Sequence, residues 1–298
     1  PSPLGTQAIV ELPHERAVCS CQGAPIPSQA SAAGTKIALE IAPLGYRTVA
    51  VDPAKKSGRG GRRSARRIEN ERLRVEMDEK TGAVSQLFHK GMKKKVLQGL
   101  GNEIVVGDES EMVAESIERI ESGDVVESIR SKGRIRENGK DVYLYETVAS
   151  LPATDDRVDF RTTLTFLGSQ EHDIWDFSFD TDEIWRQTTR VRFCTAMDRP
   201  KAMRCYMNVS EETGEPRYTS QYFTALLAGK SVFCMYNRGN QHYGHAGGVL
   251  DNVMCRGRTH VEDFRYAIRP GPAPVNGLVE SMRWQAPVFV TPVEAGGK

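Results

Sequence analysis

Ile68-Glu69-Asn70-Glu71-Arg72-Leu73-Arg74-Val75-Glu76-Met77-Asp78-Glu79-Lys80-Thr81-Gly82-Ala83-Val84-Ser85-Gln86-Leu87-Phe88 is the stretch whose reading decides the fold. Leu73, Val75 and Met77 alternate with charged residues, the period of a strand with one apolar face. Asp78 to Gly82 is a polar turn closed by a glycine. Val84, Leu87 and Phe88 begin the return strand on the apolar side. The segment therefore reads as a β-hairpin.

The same period of two runs outward along the chain. Strands are expected at Ala8–Leu12, Lys36–Ile41, Arg47–Val51, Val142–Leu151, Val158–Leu167, Ile174–Phe179, Val191–Ala196, Ser231–Tyr236, Phe264–Ile268 and Pro287–Val290. Turn residues stand between many of them, as in Glu137-Asn138-Gly139-Lys140, Glu212-Thr213-Gly214 and Ala228-Gly229-Lys230. Only Ser110–Ile117 and the neighbourhood of Glu211 read as short helical candidates. Many short strands with Gly, Asn and Pro turns make an all-β sandwich protein.

One boundary is visible. From Lys55 to Arg67 the chain carries seven basic residues, several glycines and no acid, a composition that stays extended and solvated. It divides a small β-sandwich, residues 1–54, from a large β unit at 68–298, with 55–67 as a basic linker.

Composition sets the outer limits. The chain has 298 residues, 39% hydrophobic and 27% charged, which suffices for one large core and a small one. The formal net charge is +1, and without the seven linker residues 33 basic groups face 39 acidic ones. Such a surface is not built for polyanions. The linker itself lacks interleaved aromatics to stack on bases, so no nucleic acid is expected as a partner. No run approaches the roughly 20 apolar residues of a membrane helix, and Pro1–Gly5 has none of the features of a signal peptide. The six cysteines are scattered, and Cys19 and Cys21 are too close to pair. This usage favours a reducing, cytoplasmic compartment over an oxidising one. The sequon Asn208-Val209-Ser210 points the other way, but stands alone.

Residues that carry chemistry are sparse. His242-Tyr243-Gly244-His245, with Asp251, Cys255 and His260 downstream, offers metal-ligand types. Ligands must converge at about 2.0–2.3 Å, and H-x-x-H in a glycine-rich loop does not arrange that. A polar surface loop is the simpler account. His172-Asp173-Ile174-Trp175 lies inside a strand pattern, where Trp175 reads as packing. Acidic residues such as Asp155, Asp156, Asp173 and Asp176 are too numerous for any pair to mark a glycosidase dyad. There is no G-x-S-x-G, P-loop or G-x-G-x-x-G signature.

Several segments nevertheless resemble one family. The hairpin from Asn70 to Gly82 is similar to the "I-x-N-x-x-L-x-V … D-x-x-T-G-x-I" opening of the C-terminal β-domain of glycoside hydrolase family thirty-eight, the α-mannosidases. Upstream, Ala8–Pro13, Gly23-Ala24-Pro25-Ile26-Pro27-Ser28-Gln29 and Pro43–Thr48 resemble its small β-domain. Downstream, Val158–Thr162, Tyr236–Tyr243 and Asp263–Pro270 resemble strands of its large one. Leu164-Thr165-Phe166 departs from the Trp and acid that family members carry there.

The resemblance implies a large galactose-mutarotase-like β-supersandwich. It also implies that the intact enzyme is a zinc-dependent, retaining α-mannosidase whose zinc ligands and nucleophile lie in an upstream catalytic domain. No catalytic residue and no metal site is then expected in this chain. Its partners would be mannosides and the catalytic domain of the same protein. By motif match, Asn237, Arg238 and Gly239, with His242 and Tyr243, are the candidates for a sugar-contacting rim; a structural turn is the alternative. Three functions stay open: a non-catalytic β region supporting a mannosidase cleft, a stand-alone carbohydrate-binding module, and a mutarotase-like enzyme with a histidine and a carboxylate.

Overall fold

Around Asp78 the D-x-x-T-G sequence has a direct physical reason. In the computed structural model, Asp78 Oδ1 accepts hydrogen bonds from Lys80 N, Thr81 N and Thr81 Oγ1 at 3.0, 2.8 and 2.9 Å. Burial pushes the Asp78 carboxyl upward, but the Thr81 and Lys80 donors outweigh it and hold it below its ordinary range. Gly82 has φ +70°, and a Cβ there would lie 2.0 Å from Ser131 Oγ and 2.4 Å from the Tyr145 hydroxyl. Only glycine meets both demands. Asn70 pins the other end: its Oδ1 accepts from Arg72 N and Leu73 N, and its Nδ2 donates to Pro152 O and Asp155 O.

The structure describes residues 5–13, 17–53, 64–107, 109–168, 172–173, 182–291 and 293. Contacts divide the chain into two units, one of Pro1–Gly60, Gly123–Val125 and Val279–Lys298, the other of Gly61–Ser122 and Val126–Leu278. The smaller holds two three-stranded sheets closed over Val10, Leu12, Cys19 and Ile37. Val288 packs on that cluster, which places the chain's last segment with the first unit. Pro287–Val290, expected as a strand, has no ladder; Pro287 lacks the N–H a ladder needs.

The larger unit is two antiparallel sheets, of ten and nine strands among the described residues. Leu73–Met77 and Val84–His89 pair as expected, but the bulge between Glu76 and Met77 puts Val84, Leu87 and His89 inside. Phe88 faces outward instead, with the Arg74 guanidinium 5.1 Å from its ring. Between the sheets Phe160 stacks on Tyr266 at 5.2 Å and Phe193 packs on Phe233 at 5.6 Å, amid Ile104, Val191, Met235 and Leu250. Each fully buried side chain of this kind stabilises the fold by about 1.5–3 kcal/mol. The chain is all-β, as its period indicated.

Two expectations need correcting. Ser110–Glu121 is a strand, not a helix, and so is Val209–Thr213 around Glu211. In the first, Glu115 and Glu118 reach across to Arg134 and Arg130 at 2.5 Å, cross-strand pairs rather than helical i,i+4 ones. The basic segment also ends earlier than expected. Arg67 already belongs to the strand Arg67–Glu69, and the Arg119 guanidinium holds the carbonyls of Ser64 and Arg67. Residues 55–63 of that segment, and Ile174–Phe179 with Trp175, lie outside the described residues. His172–Asp173 pairs with Gly257–Arg258 as a two-residue strand.

Candidate functional site

Residues 238–241 carry the chain from strand Ser231–Asn237, in the nine-stranded sheet, to strand His242–Ala246, in the ten-stranded one. Three asparagines fix this crossing. Asn237 Nδ2 donates to the Tyr243 hydroxyl at 2.5 Å, and its Oδ1 accepts from Gly239 N at 3.1 Å. Asn240 Nδ2 donates to Val253 O and Met254 O at 3.1 and 2.9 Å. In return, Asn252 Nδ2 donates to the carbonyls of Asn240 and His242, both at 3.0 Å. Gly239 stands at φ +104°, a conformation open to glycine at little cost. The result is a short, cross-braced loop.

The five candidate residues fall on different sides of that loop. Asn237 and Tyr243 are fully buried, at 0% exposure each, so their side chains have no surface to offer a sugar. Tyr243 stacks on Tyr218 at 5.9 Å, and burial drives its hydroxyl pKa far upward. Both residues lie buried at the two ends of the crossing, where their mutual hydrogen bond satisfies them. Arg238 and Gly239 are exposed. Burial of part of the Arg238 side chain, then Arg265, lowers its pKa, while Asp159 and Asp263 counter the shift.

His242 is half-buried. Arg256 Nη2 donates to its Nε2 at 2.8 Å, which leaves the proton on Nδ1, 3.4 Å from Thr219 Oγ1. Burial, and then the Arg256 charge, push His242 down to about 4, so it is neutral near pH 7. The other metal-ligand types scatter among unrelated partners. His245 meets the Tyr218 ring edge, Asp251 meets Arg192, and His260 Nδ1 accepts from Phe166 N at 3.1 Å. Cys255 Sγ lies 3.7 Å from Gly257 O. Among the described residues, no group of three His, Cys, Asp or Glu side chains is arranged to hold a metal ion.

Two further polar arrangements escaped the sequence reading. On the ten-stranded sheet, Arg192 grips Asp251 through two bonds of 2.8 and 2.9 Å, with Arg190 Nε 3.8 Å away. Trp185 lies between the guanidinium groups of Arg190 and Arg217, at 5.0 and 5.2 Å, above Gly244. Burial raises the pKa of Glu103 beside this pair, and Arg192 only partly restores it. The Arg190-Val191-Arg192-Phe193 alternation was the available signal. On the nine-stranded sheet, a surface cavity of about 480 Å³ lies over Leu144, Glu146, Val148, Arg161, Thr163 and Thr165. Its Arg161 end joins Asp263 and Arg265, the charges that act on Arg238.

No family model matches this chain, and no curated protein matches it in sequence. Solved structures do match. A protein of glycosyl hydrolase family 38 from Enterococcus faecalis aligns over 92% of this chain and 39% of its own, with TM-score 0.59 and 11% identity. An α-mannosidase from Enterococcus faecalis V583 aligns over 92% and 38%, with TM-score 0.58 and 11% identity. A galactose mutarotase-like protein from Lactobacillus casei ATCC 334 aligns over 70% and 99%, with TM-score 0.43 and 7% identity, a likeness too remote to carry an argument. The chain spans about two-fifths of the length of the two enterococcal proteins. At these identities the likeness is one of fold: the chain has the all-β architecture of part of a family 38 α-mannosidase.

Proposed function

We propose that this chain is the non-catalytic β region of an α-mannosidase-like glycoside hydrolase, supporting the active-site cleft and contacting the sugar at its rim. The observation that carries the reading is the loop 238–241. It is braced by Asn237, Asn240 and Asn252 and shows Arg238 at its exposed position. A guanidinium offers five donors in a fixed fork, suited to neighbouring sugar hydroxyls or to a carboxylate of the catalytic domain. A rigid scaffold displaying a polar loop residue is the usual architecture of a binding rim. The likeness to part of a family 38 α-mannosidase supplies the substrate class. In this reading zinc and the nucleophile belong to the catalytic domain.

The test has two arms. The 298-residue chain, purified and supplied with zinc, is expected not to turn over a chromogenic α-mannoside. In the protein encoded by the whole gene, Arg238→Ala is expected to lower kcat/KM about tenfold, the loss of roughly 1.4 kcal/mol of transition-state binding. The melting midpoint should stay unchanged. Saturable turnover by the chain alone, or an unaltered kcat/KM in the variant, would overturn the reading.

A further inference from the structure

The cavity over the nine-stranded sheet has an order that its sequence does not show. Register places three rows of residues on that face. Arg134, Leu144 and Thr165 form one row, Lys132, Glu146 and Thr163 the next, and Arg130, Val148 and Arg161 the third. Each row draws one residue from each of the strands Val126–Glu137, Lys140–Pro152 and Val158–Phe166. With ordinary strand spacings the patch measures about 13 Å along the strands and about 10 Å across. A cavity of about 480 Å³ lies over it, within the usual size range of small-ligand sites.

The charges of this patch cancel locally. Lys132 meets Glu146 at 2.6 Å, Arg130 meets Glu118 at 2.5 Å, Arg134 meets Glu115 at 2.5 Å and Arg161 meets Asp263 at 2.5 Å. A polyanion or polycation finds no field to follow there. The paired groups still hold unused N–H donors and carboxylate lone pairs, and Thr163 and Thr165 add hydroxyls. Leu144, 39% exposed, and the half-buried Val148 supply small apolar faces between them. Alternating donors, acceptors and apolar faces without net charge match a neutral polyhydroxylated chain.

We propose that this patch is a binding strip for a neutral oligosaccharide, which it holds by hydrogen bonds to the paired charges and the two threonines. The strip ends at Arg161, whose partner Asp263 also binds Arg265 beside Arg238. The choice of a mannose-containing ligand rests on the function proposed above. The location of the strip does not. None of the nine residues in these rows is aromatic, so affinity should be modest, with Kd in the millimolar range.

Isotope-labelled chain titrated with α-linked mannotriose tests this. Saturable amide shifts centred on Thr163 and Thr165 are expected at millimolar concentration. The double variant Leu144→Glu, Thr163→Glu adds two charges, one of them opposite Glu146, and should weaken binding about tenfold while lowering the melting midpoint by only a few degrees. If that variant fails to fold, Thr165→Lys provides the same test at one position. Arg238→Ala should leave the strip's affinity within about twofold, so the strip and the rim can fail separately. No saturable shift up to roughly 50 mM sugar, a weaker limit than this class of site requires, would overturn the proposal. So would shifts confined to other residues, unimpaired binding by a folded variant, or self-association that covers the strip.

Discussion

The two sheets of the large unit treat the same chemistry in opposite ways. On the nine-stranded sheet, Lys132, Glu146, Arg134 and Glu115 pair with 40–50% of each side chain exposed. On the ten-stranded sheet, Arg190 and Asp251 are 2% and 5% exposed; a ring and backbone carbonyls hold the Arg190 guanidinium 3.8 Å from Asp251, and the 31% exposed Arg192 makes the direct bonds to that carboxylate. Water already satisfies the first set, so each exposed pair adds at most about 1 kcal/mol. In the second set only Arg192 keeps contact with water, so losing Asp251 strands the buried Arg190. An exposed lattice of charges is free to exchange partners with a ligand. A buried one is a fixed part of the fold.

The largest expected effect follows from that contrast. Asp251→Ala leaves Arg192 and the buried Arg190 without their carboxylate and should cost about 3–5 kcal/mol. For a domain of this size that lowers the melting midpoint by roughly 10 °C. Thermal unfolding by circular dichroism measures it. A fall of no more than one or two degrees would mean that water reaches this face and that the contrast is false.

His242 sharpens the comparison by pH. Its folded pKa, pushed down to about 4 by burial and by Arg256, lies below the ordinary value of 6.5. Between these two values the unfolded chain binds a proton that the folded chain refuses, so stability falls as pH drops from 6.5 toward 4. His242→Gln keeps a neutral acceptor for Arg256 without a titrating group. Its loss of stability across that window should be smaller than that of the wild type. His89 and His245, also lowered by burial, contribute equally to both proteins and cancel in the difference. Parallel urea midpoints at several pH values decide it; identical slopes would assign the acid sensitivity elsewhere.

The sequence carried the architecture well because alternation is local. Leu73, Val75 and Met77 announce their face within five residues, and Asp78-Thr81-Gly82 announces its turn within five more. Ser110–Glu121 misled because its glutamates answer arginines on the next strand, which no single-strand pattern reveals. The site was harder to read for the same reason. Arg192 and Asp251 are 59 residues apart in sequence, and only the fold brings them together. In Asn237–Tyr243 the motif marks a loop between the two sheets but not the direction of each side chain. The strand Ser231–Asn237 is buried on both faces up to its last residue, so Asn237 is enclosed with Tyr243 and exposure begins only at Arg238.

The smallest effect belongs to the exposed lattice. Glu146 serves Lys132 at 2.6 Å and Arg130 at 3.9 Å, yet is itself 40% exposed. Screening, and the entropy of holding long side chains in place, should reduce the coupling of Glu146 and Lys132 to between about 0 and 1 kcal/mol in a double-mutant cycle. Raising the salt should shrink it further, since the Debye length falls to about 3 Å at 1 M. A coupling of several kcal/mol that ignores salt would show that the two sheet faces are alike after all. In that case the strip would be a rigid part of the fold, and its pairs would not open to sugar hydroxyls. A weak, salt-sensitive coupling is what a surface that trades partners with a ligand requires.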